Sequence, residues 1–160
     1  MDRRPAIREL RREDAPQVQA FVRRLSAETR LRRFFAPINE LTERQLERVT
    51  TGSGPDDLSL AAFDGAGRIV GLAQYALEDG ASAEFGVVVE DGLQRSGLGA
   101  RLVGELLERA RKRGLAALNG LVLYDNWPML GLAAKLGFRL WEDPDPALMR
   151  VEKALQPAFV

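Results

Sequence analysis

A glycine-containing run has the residue types and spacing in this chain that point most directly to chemistry: Gln94-Arg95-Ser96-Gly97-Leu98-Gly99-Ala100. It follows the valine-rich segment 85–89 and precedes a stretch with helical periodicity. A glycine loop between a strand and a helix directs unpaired backbone N–H groups, and the positive end of the helix dipole, at one point. The run therefore predicts a binding site for phosphate oxygens.

The residues of this run do not match the two commonest nucleotide-binding motifs. A P-loop requires G-x-x-x-x-G-K-[ST]; Gly92 and Gly97 have that gap, but Leu98 and Gly99 follow. A dinucleotide fingerprint requires G-x-G-x-x-G; Gly97 and Gly99 fit, but Leu102 stands at the third glycine position. The pattern that is left is Q-x-x-G-x-G-A after a valine-rich strand.

Two residue types are missing from the chain, and their absence limits its chemistry. The sequence contains no cysteine and no histidine. This excludes disulfides, cysteine nucleophiles, Ser-His-Asp triads and zinc sites with nitrogen or sulfur ligands, and no metal is expected. Proton transfer near neutral pH must therefore use a carboxylate, tyrosine, lysine, the N-terminus or water.

Size and charge are those of an ordinary globular domain. The 160 residues are 46% hydrophobic and 29% charged, which predicts one domain over residues 1–160. Basic and acidic residues both number 23, so no net charge favours nucleic acid or an anionic membrane as a partner. The absence of a membrane-length apolar run and of a signal sequence predicts a cytoplasmic protein.

Periodicity and turn signals predict how the glycine loop is positioned. Strands are predicted at 6–10, 58–63, 68–77, 81–89, 115–123, 138–141 and 147–153, and helices at 15–25, 26–35, 42–49, 98–113 and 126–136. The helix at 26–35 is rich in arginine and is predicted to end at Pro37. The order indicates an α/β (α+β) fold: a mixed, largely antiparallel sheet of about seven strands with four to five helices. Segments 85–114 and 115–138 form its parallel strand–helix–strand portion.

Two motifs resemble those of the GNAT superfamily of acyl-CoA-dependent N-acyltransferases. The loop 94–100 is similar to its [QR]-x-x-G-x-[GA] pyrophosphate motif, and Asn126 with Lys135-Leu136-Gly137-Phe138 is similar to its N-x-x-M/A … K-L-G-F block. The resemblance implies a GNAT fold with acetyl-CoA as co-substrate and Gln94 to Ala100 around its pyrophosphate. It also implies that Asn126 contacts the pantetheine arm or an ordered water. The backbone of Val87, Val88 and Val89 would pair with the pantetheine amides like an added strand.

A closer likeness is to the Pat-type bacterial protein lysine acetyltransferases. It rests on the run 26–35, S-A-E-T-R-L-R-R-F-F, and on Ala83-Glu84-Phe85-Gly86-Val87-Val88-Val89. In that pattern the glutamate is the general base, which implies this role for Glu84. An amine with a pKa of about 10.4 must lose a proton before it attacks, and a carboxylate in a partly desolvated cleft can accept it. The alternative for Glu84 is a structural ion pair with one of the many arginines.

The sequence leaves several candidates for the acceptor amine. The Pat-like helix implies a protein lysine; a polyamine or aminoglycoside-like amine and a protein N-terminus stay open, as does a non-catalytic acyl-CoA-binding module. Arg30, Arg32 and Arg33 are either a solvated helix face or an acceptor-binding surface. Ala133 occupies the position where many family members carry an acid tyrosine, so the general acid is unassigned. The sequence also leaves open a homodimer and the use of longer acyl-CoAs.

Overall fold

One β-sheet forms the centre of the molecule, and the helices pack on it. The computed structural model describes residues 4–52, 54–79 and 81–155. Within them seven strands form one sheet: β1 Ala6–Glu9, β2 Leu58–Phe63, β3 Ile69–Leu77, β4 Ser82–Val89, β5 Ala117–Leu123, β6 Arg139–Glu142 and β7 Leu148–Ala154. The predicted strands are all present, with ends that move by one or two residues.

Five α-helices flank the sheet in the described residues: α1 Ala15–Arg24, α2 Ala27–Phe34, α3 Glu43–Thr51, α4 Leu98–Lys112 and α5 Trp127–Lys135. Three of them begin at a residue whose side chain accepts a hydrogen bond from the first turn: Ser26 for α2, Thr42 for α3 and Asn126 for α5. We find no helix in the described part of the chain with the length and apolar character to cross a membrane.

The end of α2 differs from the prediction that Pro37 stops it. The helix ends at Phe34 because Phe35 adopts a left-handed conformation, with φ of 58°. A left-handed residue closes the last turn by its backbone N–H, which here donates to the carbonyl oxygen of Leu31 at 2.8 Å. Phenylalanine rarely adopts this conformation, so the sequence carries no signal for it.

The strand order is β1-β2-β3-β4-β5-β7-β6, and all neighbours are antiparallel except β4 and β5. In the predicted parallel portion, only β4 and β5, which α4 connects, pair directly with each other. Strands β5 and β6 point the same way, but β7 lies between them and pairs with both. A short connection, residues 143–147 with Pro144 and Pro146, returns the chain from β6 into this central position.

The two faces of the sheet are covered by different helices. Helices α1 and α3, with residues such as Phe21 and Val49, pack on the face that includes Leu72 and Val88. Helices α4 and α5 pack on the opposite face, where Leu102 and its neighbours on α4 form the larger core. Since side chains alternate along a strand, each residue of β4 faces one of these two layers.

Candidate functional site

The sheet opens in the middle, between its two parallel strands. Strands β4 and β5 are paired only at the start, where Ser82, Ala83 and Glu84 lie opposite Ala117, Leu118 and Asn119. Beyond this point the strands separate, while β4 stays paired with β3 in continuous register up to Val89. The separation creates a cleft of about 970 Å³ that the remainder of β4 and residues 120–122 of β5 line.

Beyond Glu84, the cleft side of β4 presents main chain rather than charged side chains. Val87, Val88 and Val89 line the cleft, and Val88 and Val89 are buried. Their side chains enter the two cores, with Val88 on the α1 side and Val89 on the α4 side. The backbone groups of β4 that do not face β3 have no strand partner here, so an extended ligand with amide groups can pair with them.

The glycine loop closes one end of the cleft. Arg95 has φ of 66° and Gly97 has φ of 92°, and Gly97 directly precedes α4. Left-handed residues in a turn direct successive N–H groups into one concavity, and the helix dipole of α4 adds positive potential there. The loop therefore has the geometry of an anion site at the N-terminus of a helix.

The loop residues do not all face the cleft. Five of them line it: Gln94, Arg95, Gly97, Gly99 and Ala100. Leu98 is buried in the α4 core, and the Ser96 hydroxyl donates to the carbonyl oxygen of Leu93 at 2.5 Å. Any contact from Leu98 to a ligand would therefore come from its backbone.

Two polar residues attach the start of the loop to α2. The Asp91 carboxylate accepts hydrogen bonds from the Ser26 backbone N–H (3.0 Å), the Ser26 hydroxyl (2.6 Å) and the Thr29 hydroxyl (2.9 Å). The Gln94 amide donates to the Thr29 hydroxyl at 3.2 Å and to the Val89 carbonyl oxygen at 3.1 Å. Partial burial alone would raise the pKa of Asp91, but the hydrogen bonds from Ser26 and Thr29 outweigh it and the pKa is lowered.

Helix α5 forms the wall opposite the loop. Asn126, which begins the helix, is buried, lines the cleft, and accepts a hydrogen bond from the Met129 N–H at 3.3 Å. Sequence reasoning missed the other α5 residues on this wall, among them Trp127, Met129, Leu132 and Lys135. The signal was present: α5 is apolar on more than one side, and only part of that surface, as at Leu130 and Ala133, belongs to the core.

Glu84 lies where β4 and β5 part, and it lines a second, smaller cavity of about 170 Å³ as well as the cleft. Glu78, Asn119 and Trp141 also line the small cavity, and the Asn119 amide donates to Glu78 at 2.8 Å. The Glu84 side chain is exposed rather than partly desolvated as expected. The helices that cover its face, α1 to α3, pack over β1 to β4 and leave this edge open.

The three arginines of α2 have three different environments. The Arg30 guanidinium donates to the carbonyl oxygens of Ile38 and Leu25, so it is a structural residue. Arg32 forms an ion pair with Glu28 at 2.7 Å and lies at the rim of the cleft. Arg33 points into the cleft, over β4. The hypothesis of a common acceptor-binding surface is therefore wrong for Arg30.

No group of three or more potential metal ligands occurs in the residues that the structure describes. The charged side chains that reach the cleft are instead Glu84 and Asp91 on one hand, and Arg32, Arg33, Arg95 and Lys135 on the other. An anionic ligand with an apolar, amide-containing arm fits this arrangement, with its anionic end at the loop.

Comparison with known families and proteins agrees with this geometry. The profile of the Acetyltransferase (GNAT) family matches residues 7–138. An acetyltransferase of Pseudomonas aeruginosa is 32% identical over 152 residues, which cover 92% of this chain and 81% of that protein. An L-methionine sulfoximine/L-methionine sulfone acetyltransferase of the same species is 35% identical over 86 residues, 51% of this chain and 50% of that enzyme.

Among solved structures, the chain is similar to the GNAT domain of PAT from S. lividans. The TM-score is 0.86 with 26% sequence identity, and the match covers 93% of this chain and 89% of that one. The match covers nearly the whole chain, so the two share one overall architecture.

Proposed function

Since the chain belongs to the GNAT family of acetyltransferases and is an N-acetyltransferase enzyme, we propose that it transfers acetyl from acetyl-CoA directly to a bound amine with Glu84 as general base. The observation that supports this assignment most is the position of Glu84. It is the acidic residue of β4 and stands at the point where β4 and β5 part, between the cleft and the small cavity. A donor in the cleft and an acceptor bound beside Glu84 would meet there.

The cleft residues fit acetyl-CoA. The loop N–H groups around Gly97, with Arg95 and Lys135 at the cleft, suit the phosphates. The open backbone of β4 suits the pantetheine amides, and the apolar side chains of α5 suit the rest of the arm. Acetyl-CoA supplies the thioester, and no residue of the chain needs to form a covalent intermediate.

The transfer balances with one base. The acceptor enters as an ammonium and gives a proton to Glu84, and its nitrogen then attacks the thioester carbonyl carbon. The new C–N bond forms as the C–S bond breaks, and coenzyme A leaves as a thiolate. The second proton that the nitrogen loses on becoming an amide passes through water to this thiolate, and Glu84 returns its own proton to solvent. Backbone N–H groups near Val87 to Val89 would stabilise the negative charge on the carbonyl oxygen.

Replacement of the base tests this proposal. We expect Glu84→Gln to lower kcat by a factor of about 10² to 10⁴ at neutral pH, because the amide keeps the shape and removes the proton acceptor. Acetyl-CoA affinity, measured by calorimetry, should stay within about twofold of wild type, because Glu84 lies at the reaction end of the cleft, away from the loop.

Glu78→Gln is the matched control, since Glu78 is the neighbouring carboxylate of the small cavity. It should retain most of the rate. If Glu84→Gln acetylates at wild-type speed and Glu78→Gln does not, Glu78 is the base. Thioester cleavage measured with a panel of amines also separates an enzyme from a non-catalytic acyl-CoA-binding module, which would bind the donor and release no thiol.

We propose a small-molecule amine as the acceptor, with a protein lysine as the second candidate. Two observations support the small amine. A relative acetylates L-methionine sulfoximine and L-methionine sulfone, and Arg33 faces the cleft. Similarity to the GNAT domain of PAT supports a protein lysine. An arginine surface on α2 that would attract a protein substrate is reduced, because Arg30 and Arg32 are already bound to other groups.

An experiment that removes small molecules from the lysate distinguishes the two acceptors. The protein is incubated with acetyl-CoA and a cell lysate, once complete and once after removal of small molecules by gel filtration. Loss of thiol release after filtration, without new acetyl-lysines in the protein fraction, supports a small amine. Mapped acetyl-lysines that persist in the filtered lysate support a protein lysine.

A further inference from the structure

Arg33 is a charged residue that this cleft holds without a partner. Its guanidinium lies directly over Gly86: a Cβ built at residue 86 would be 2.6 Å from Cζ, 2.8 Å from Nη2 and 2.9 Å from Nε. In the described part of the chain it forms no hydrogen bond and no ion pair within 4.0 Å, and its ring contact is with the adjacent Phe34, 5.1 Å from Cζ to the ring centroid. Burial lowers the pKa of Arg33, and the nearby charge of Glu84 offsets part of this effect.

The guanidinium of Arg33 has no hydrogen-bond acceptor among the described residues, and this costs free energy unless a bound ligand supplies one. It carries five N–H donors in a planar fork that matches a carboxylate. Arg33 is half-buried, so its guanidinium loses part of its hydration without gaining a protein hydrogen bond, and an anion bound in the cleft would offset that cost. The structure therefore contains a ready site for one planar anion at Gly86.

The site faces the acceptor rather than the phosphates of the donor. Glu84 and Gly86 are two residues apart on β4, so they share one face of the sheet and lie about 7 Å apart. That face is the one α2 covers, since Val88 belongs to the α1–α3 core. The loop that suits phosphates is at the far end of the cleft, beyond Val89, where α2 contacts it through Thr29 rather than Arg33.

Glu84 and Arg33 together therefore present a proton acceptor and a carboxylate receptor on the same face of β4. We propose that the acceptor is a free α-amino acid, whose amine is deprotonated at Glu84 while its carboxylate binds Arg33; this rests on the proposed function of Glu84. The amine and the carboxylate of an α-amino acid are attached to the same carbon, so one molecule can place its amine at Glu84 and its carboxylate at Arg33. A lysine side chain carries no anion near its amine, and a polyamine carries only cations.

The role of Gly86 follows from the same geometry. Because any side chain at residue 86 would occupy the place of the guanidinium, the glycine keeps that place open. The contact would be with the mobile end of Arg33, so Gly86→Ala displaces the guanidinium while the protein keeps its fold and its charge.

Matched acids and amides test the proposal. The probes are L-methionine sulfone, L-leucine and L-glutamine, each compared with its own carboxamide. The amides have the less basic amine, so a preference for the acids cannot come from amine protonation. For at least one pair we expect kcat/KM of the acid to exceed that of the amide by about 10- to 100-fold, the worth of a charge-assisted hydrogen-bonded pair.

Variants assign that preference to the guanidinium. Arg33→Gln and Gly86→Ala should reduce the acid-to-amide ratio to about one, and Arg33→Lys should keep part of it. Arg32→Gln is the matched control, because Arg32 is bound to Glu28, and it should keep the wild-type ratio. A wild-type ratio at or below one for all three pairs, or an Arg33→Gln ratio equal to wild type, overturns the proposal.

A binding measurement separates this proposal from that for Glu84. Calorimetry of each acid and amide with the protein–coenzyme A complex reports on Arg33 without turnover. If no amine releases thiol but an acid binds more tightly than its amide and Arg33→Gln removes the difference, the carboxylate site stands and the base assignment fails. Turnover of a lysine peptide with no binding of any free amino acid overturns the carboxylate site.

Discussion

At the scale of single residues, the glycine loop depends on backbone conformation more than on side chains. Gly97 has open space where a Cβ would lie, but its φ of 92° is one that other residues avoid. Arg95 adopts a similar conformation with a side chain, which is uncommon and costs energy. Strain at a loop that lines a cleft is consistent with a conformation kept for a ligand.

Two substitutions at Gly97 separate strain from charge. Gly97→Ala adds only the cost of the left-handed conformation, about 1 kcal/mol. Gly97→Glu adds the same cost and a negative charge beside the phosphates, so we expect acetyl-CoA affinity to fall more than about tenfold further in this variant. Calorimetry on both folded variants measures the difference, and equal affinities would place the pyrophosphate elsewhere.

The arginines of α2 show which features of the site could not be predicted from the sequence. The position of the loop 94–100 between β4 and α4 could be predicted because its signal lies in consecutive residues. Arg30 and Arg33 could not be told apart, because one turn of helix decides which guanidinium meets a carbonyl oxygen and which meets the cleft. That decision depends on how α2 packs over β4, which no local pattern records.

At the scale of elements, α2 and the loop before α4 behave as one unit. Asp91 connects them through the three hydrogen bonds from Ser26 and Thr29. The free energy of unfolding that a carboxylate contributes through a lowered pKa is fully present above its unfolded pKa, about 3.9 for aspartate. This contribution is lost only as the pH falls through the lower, folded pKa. The link is therefore intact at neutral pH.

Breaking this link should affect donor binding. We expect Asp91→Asn to raise the Kd for acetyl-CoA by about tenfold, because the amide cannot accept all three hydrogen bonds and the loop loses its attachment. Asp79→Asn is a matched control, since Asp79 also accepts backbone hydrogen bonds, from Ala81 and Ser82, but in a turn remote from the loop. Equal donor affinity in wild type and Asp91→Asn would show that the loop holds its shape without α2.

Element order was less predictable than element type. The strands and helices could be predicted because their periodicity and caps are local, as at Thr42 with Gln45. The insertion of β7 between β5 and β6 could not, since it depends on which strand pairs with the edge of β5 opposite β4. The start of α5 at Asn126 shows the opposite case, a cap visible in the sequence and present in the structure.

At the scale of the whole molecule, the opened pair divides the sheet into two parts. Strands β1 to β4 with α1 to α3 lie on one side, and β5 to β7 lie on the other. The direct strand contact between them is limited to three residue pairs at the start of β4 and β5. A ligand that pairs with β4 and packs against α5 would join the two parts along the rest of the opening.

Donor binding should therefore stabilise the entire fold. At a concentration one hundred times its Kd, acetyl-CoA should add about 2.7 kcal/mol to the free energy of unfolding and raise Tm by about 5–10 °C. Thermal unfolding followed by circular dichroism measures this shift, with Gly97→Glu at the same ligand concentration as the control that should lose it. A wild-type Tm that does not move at such a concentration would contradict a donor site in the cleft.

The division between main chain on the donor side and side chains on the acceptor side has a consequence for protein engineering. If the backbone of β4 holds the donor, those contacts should survive most substitutions of the residues that surround them. A mutant library confined to residues of the proposed acceptor face, such as Arg33, Leu121, Trp141 and Arg150, would then vary the choice of amine while the acyl donor stays the same.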